Sequence, residues 1–224
     1  MRLLRLAAIA IVLPLIATGC QKTSPYAKSS KFASVYTAGY GGSSLGRPAP
    51  VFPYGLQRPA LSEGKTHFIE FRARNAISYG HAAVAFGKLD RDGGVPRLKN
   101  GDLKPGQIEI SGLAPASDSE AVYRAGHVVP VYATTGPSDG DDEKAYLLAS
   151  YRINLTKDEF DRLVKIMKRR KAGTHYWNGP LNSCVTYLRR IAEDMGLITP
   201  VTRHLPEGFV RKLKRINEPR RATS

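Results

Sequence analysis

Cys184 is one of only two cysteines in the chain, and it lies in Asn182-Ser183-Cys184-Val185-Thr186-Tyr187-Leu188, where a helix begins. Cys184, Tyr187 or Leu188, Ile191 and Met195 recur at helical spacing and make one apolar stripe, with Arg189, Arg190, Glu193 and Asp194 largely opposite. Asn182 or Ser183 serves as N-cap, Gly196 ends the helix and Pro200 prevents its resumption. A thiol in the first turn of a helix meets the positive end of the backbone dipole, which favours the thiolate a nucleophile needs. The expectation is therefore a thiol that reacts below its ordinary pKa. A base is also required, and His81 is the choice, about a hundred residues earlier at the head of the stretch His81-Ala82-Ala83-Val84-Ala85-Phe86-Gly87. The bland alternatives are a small core hydrophobe for Cys184 and a strand-edge histidine bonded to a turn for His81.

The elements that must position this pair read as α+β, with an antiparallel sheet of about five strands against the cysteine-bearing helix and one or two more. Thr66 to Arg74 alternates with period two. The stretch from His81 forms the second strand, and the row His81, Ala83, Ala85, Gly87 is small enough to let a helix lie over it with its N-terminus near His81. Gln107 to Ser111 alternates as a third strand, Val128 to Tyr132 as a fourth with Pro130 marking an edge or bulge, and Ala145 to Leu155 as a fifth. Thr156 and Glu159 form a capping box ahead of a helix lined by Phe160, Leu163, Val164 and Met167 and stopped at Gly173. The aromatics just before the cysteine helix, Trp177 among them, have two readings: a wall of a substrate groove shared with Tyr79, Asn182 and Ser183, or a hydrophobic plug over the core, which is the commoner outcome.

Composition bounds the setting. Residues 1–19 carry Arg2 and Arg5, an apolar run from Leu6 to Ile16, and small residues before Cys20. That pattern is a targeting segment too short to span a bilayer comfortably. It resembles a bacterial lipoprotein signal, which implies Cys20 as the lipidated mature N-terminus; an ordinary secretory signal with an incidental cysteine is the other reading. Residues 20–64 are rich in Ser, Gly, Pro and Ala and read as a disordered tether, residues 65–200 as the folded domain, and residues 201–224 as a basic tail with weak helical spacing. With Cys20 acylated, Cys184 has no intramolecular partner in an oxidising compartment. Removing the leader leaves 32 basic against 19 acidic residues, about +13. In an exported protein, anionic membrane or wall polymer is a better counter-charge than nucleic acid. The five histidines show no metal-ligand spacing, so neither metal nor other cofactor is expected.

Taken in order, Ser78-Tyr79-Gly80-His81-Ala82-Ala83-Val84 and then Asn182 to Leu188 resemble the permuted papain-like thiol hydrolases and acyltransferases, a group that includes the lecithin:retinol acyltransferase family and relatives of the NlpC-type cell-wall peptidases. The resemblance implies Cys184 as nucleophile, His81 as base, and a polar residue on a following strand orienting the imidazole. Glu109 fits that third place best by strand order and face, with His127 next. It further implies acyl transfer from an amide or ester through a thioester, with peptidoglycan peptide ahead of lipid ester as substrate. The expected protein is a lipid-anchored monomer of the cell envelope facing the periplasm. The competing expectation is a non-catalytic basic lipoprotein that holds anionic polymer or membrane.

Overall fold

The computed structural model describes residues 64–76, 79–201 and 205–218. The leader, Cys20 and the tether as far as residue 63 lie outside them. The fold is α+β: β1 (His67–Arg74), β2 (His81–Lys88), β3 (Ile108–Gly112), β4 (Ala114–Pro115), α1 (Glu120–Ala125), β5 (Val131–Thr134), β6 (Leu147–Leu155), α2 (Lys157–Ala172), β7 (Tyr176–Trp177), α3 (Cys184–Asp194) and α4 (Pro206–Asn217). The strands form two antiparallel sheets where one of about five strands was expected. The larger has the order β3-β2-β1-β6 and the smaller β4-β5-β7. The expected fourth strand begins later, at Val131, because Val128 and Val129 still belong to the turn that ends α1.

β1 is central and buried along its whole length, because both faces of the sheet are covered. Ile69, Phe71 and Ala73 join Ala82, Val84 and Phe86 of β2 under α2, α3 and α4. The other face packs Phe68 and Ala85 against Leu89, Val95 and Leu103 of the β2–β3 connection. The charged half of the β1 alternation is thus inside as well. Glu70 meets Arg72 and Arg97, each at 3.4 Å, which supplies the partners that buried charges need.

This arrangement corrects the expected docking of the cysteine helix. α3 lies over Ala82, Val84 and Phe86, whereas the small row His81, Ala83, Ala85, Gly87 is turned to the opposite face. An alternating strand offers two faces, and the bulkier one won because burying Val84 and Phe86 under a helix removes more apolar area from water.

The chain after Pro200 also departs from a tail. Pro206 starts α4 at a position where its missing N–H costs nothing, and Phe209, Val210 and Leu213 are fully buried in the main core. The folded unit therefore includes α4. α2 forms as its capping box requires: Thr156 accepts from the Glu159 amide and Glu159 from the Thr156 amide.

Candidate active site

His81 opens β2 directly after a glycine that the turn requires. Gly80 has φ +87, and a Cβ there would sit 2.7 Å from the Arg74 carbonyl oxygen. That close return pairs His81 with Arg74 across β1 and β2. The imidazole is buried, and its Nε2 has no hydrogen-bond partner among the described residues. A second glycine makes room for it: a Cβ at Gly112 would lie 2.7 Å from Nε2. Nε2 stands 3.8 Å from Asp141 Oδ2. Asp141 is buried in turn. Arg74 Nε donates to its Oδ1 at 2.6 Å, the Ser138 amide donates to Oδ2 at 2.7 Å, and Arg72 Nε donates to its backbone carbonyl at 3.2 Å. Arg74, Asp141 and His81 thus make a row of guanidinium, carboxylate and imidazole at the end of the sheet.

Cys184 is the first residue of α3, with Ser183 as the N-cap of the two alternatives. Ser183 makes no side-chain cap, and the first helical bond runs from the Tyr187 amide to the Ser183 carbonyl. The amides of the first turn are left for other partners, and those orphan donors are the usual signature of a helix start. Although β2 turns His81 away from α3, both side chains sit at the open end of the sheet. Cys184 and His81 line one pocket of about 150 Å³ with Tyr79, Gly80, Arg74, Tyr123 and Trp177. Among the described residues no hydrogen bond joins the two.

Burial governs the resting protonation of both groups. It pushes the Cys184 thiol up to about 11, with Asp141 adding to the rise, while the Ala82 and Val185 amides and Arg74 oppose it. Burial likewise pushes His81 down from its ordinary 6.5; Asp141 opposes the fall and Arg74 reinforces it. The expected dipole-stabilised thiolate is corrected by this environment: desolvation of a fully enclosed sulfur outweighs the gain from the helix terminus. At neutral pH the pair rests as thiol and neutral imidazole. Iodoacetamide should therefore alkylate the native protein roughly 100-fold slower at pH 8 than it alkylates free cysteine, at a rate that keeps climbing with pH beyond about 9. A plateau below pH 8 would show an ionised resting thiol.

The third member expected from the sequence is also corrected. Glu109 pairs with Phe86, its side chain is 70 % exposed, and it reaches Lys171 at 3.8 Å. Ala83 pairs with Gly112, so Glu109 sits three residues, roughly 10 Å, further along β3 from the glycine beside His81. His127 is occupied elsewhere. Its Nδ1 bonds the Tyr123 carbonyl at 2.9 Å, which fixes Nδ1 as the donor, so Nε2 accepts from the Tyr79 hydroxyl at 2.8 Å. Its ring packs edge-on to Tyr123 and Trp177, and it braces the aromatic wall.

Of the four expected groove residues, Tyr79 and Trp177 line the pocket, and Asn182 and Ser183 do not. Asn182 builds the turn ahead of α3: its side chain donates to the Tyr176 carbonyl and accepts from Arg190. Asp141, Arg74, Gly112 and Tyr123 escaped the sequence reading. The only signal for Asp141 was an acidic loop holding Asp139, Asp141 and Asp142 together, with no periodicity to single one out. The chain matches no protein-family model, no curated protein and no solved structure.

Proposed function

We propose that this domain is a permuted papain-like thiol hydrolase or acyltransferase, acting on an amide or ester in the cell envelope, with peptidoglycan peptide ahead of lipid ester as substrate. The observation that carries the reading is that Cys184 and His81 line the same pocket, with Asp141 behind the imidazole. Because neither group is ionised at rest, the Cys184 S–H proton passes to His81 as sulfur bonds the acyl carbon. The tetrahedral oxyanion forms at the head of α3, where Ser183 makes no side-chain cap and the first-turn amides can donate to it. Asp141 faces the imidazolium this step creates. Collapse of the intermediate expels the amine or alcohol, which takes the proton back from His81 and leaves a thioester. Water then releases the acid, or a second acceptor takes the acyl group. The leader reading adds that Cys20 is acylated and tethers the domain at the periplasmic face of a membrane.

The second reading is a non-catalytic basic lipoprotein, and one observation favours it: Cys184 is only 4 % exposed. Incubation with p-nitrophenyl acetate separates the two. A catalytic pocket should give one acetyl group on the Cys184 peptide by mass spectrometry, labile to hydroxylamine and lost in Cys184→Ala. Label confined to surface lysines would leave the binding lipoprotein as the better account.

A further inference from the structure

The pocket carries a charge that the rest of the molecule does not. The chain holds 34 basic and 19 acidic residues, yet the acidic side chains Asp118 and Asp139 line this pocket, and among the described residues neither makes a hydrogen bond or an ion pair. Among the described residues of the lining the guanidinium is that of Arg74, which is occupied by Asp141 at 2.6 Å. The wall beside them is aromatic. Tyr123 stacks on Trp177 with centroids 5.4 Å apart, and Tyr79 lies 6.3 Å from Tyr123. Burial raises the Tyr79 phenol well above its ordinary pKa, so the ring stays neutral and keeps its electron-rich face. His81 also lines the pocket, and its buried Nε2 has no hydrogen-bond partner among the described residues. A pocket with aromatic faces, two uncommitted carboxylates and, among the described residues of its lining, no free cation attracts positive charge and disfavours a carboxylate side chain.

We infer that the substrate carries an alkylammonium group close to the acyl carbon attacked by Cys184, held against the aromatic wall of Tyr79 and Tyr123 and drawn in by Asp118 and Asp139. The inference rests on this pocket being the substrate site, and it narrows the substrate class to cationic acyl compounds. Two sources share that chemistry: a peptide amine, or the ammonium of a lipid headgroup.

Trp177 is the only tryptophan in the chain and lines the pocket, so its fluorescence reports occupancy without any turnover. The full chain carrying Cys184→Ala should be titrated with N-acetyl-lysine methylamide, its norleucine and glutamate counterparts, and a short-chain phosphocholine below its micelle concentration. One ammonium over aromatic rings with two rim carboxylates supports a preference of about tenfold over the uncharged isostere. Tighter binding of the lysine probe identifies a peptide amine, and tighter binding of the phosphocholine identifies a headgroup; either upholds the inference. Asp118→Asn combined with Asp139→Asn should erase the preference, and both positions are exposed enough to leave the fold intact. Equal quenching by the lysine, norleucine and glutamate probes, preference for glutamate, or no quenching by any probe would overturn it. Acetylation of Cys184 in the unmodified chain reads the thiol chemistry separately, so failure of one is distinguishable from failure of the other.

Discussion

Replacing His81 by alanine should slow acetylation of Cys184 by about 10²- to 10⁴-fold, the range general-base catalysis contributes. The size follows from the resting state. A thiol held up to about 11 exposes very little thiolate at neutral pH, so attack depends on a base that takes the proton during bond formation. An imidazole held below its ordinary pKa by burial is present in the neutral, proton-accepting form, which suits that task. The same environment that suppresses spontaneous alkylation therefore leaves the acyl-transfer route open. Stopped-flow release of p-nitrophenol from the wild-type chain and from His81→Ala measures the ratio. Glu109→Gln is the matched control, because that exposed side chain pairs with Lys171 and faces solvent. Equal burst rates in wild type and His81→Ala would remove His81 from the chemistry, whatever happens at Cys184.

Much of this was legible in the sequence because local pattern and tertiary role agreed. The capping box at Thr156 and the apolar stripe from Cys184 to Met195 need only near neighbours to be read, and each appears as an element of the structure. The alternation of β2 was equally clear, but alternation cannot say which face a helix will cover, and α3 took the face with Val84 and Phe86. The third partner of His81 was invisible for a different reason. Strand order pointed to β3, yet the β3 residue beside the imidazole is Gly112, and the carboxylate arrives from a loop whose course only the tertiary fold decides. The weak helical spacing of Phe209, Val210, Leu213 and Ile216 pointed to α4, but not to its place in the core. Arg211, Lys212, Lys214 and Arg215 dominate its composition, while three buried side chains fix its place.

Asp141→Asn should cost both stability and rate, and Arg74→Met separates the two. Arg74 and Asp141 form a buried pair with side chains 11 % and 1 % exposed. Removing one partner of such a pair leaves an uncompensated charge, at about 3–5 kcal/mol. Against a domain stability on the order of 5–15 kcal/mol that is a large loss, roughly 10–20 °C in Tm. Both single variants should show it by thermal denaturation. Their effects on His81 run in opposite directions. Asp141 raises the imidazole pKa and Arg74 lowers it, so Asp141→Asn depresses His81 further while Arg74→Met lets it climb back. The rate of acetylation falls as pH drops through the folded His81 pKa, which in the wild type lies below 6.5. Its acid limb should therefore move to lower pH in Asp141→Asn and to higher pH in Arg74→Met. Stability follows the same sign in the wild type: the unfolded chain protonates His81 first, so stability is lost as pH falls below 6.5 toward the folded value. A purely structural Asp141 would lower Tm in both variants and leave the two acid limbs superimposed. Opposed limbs require a carboxylate that acts on the imidazole itself.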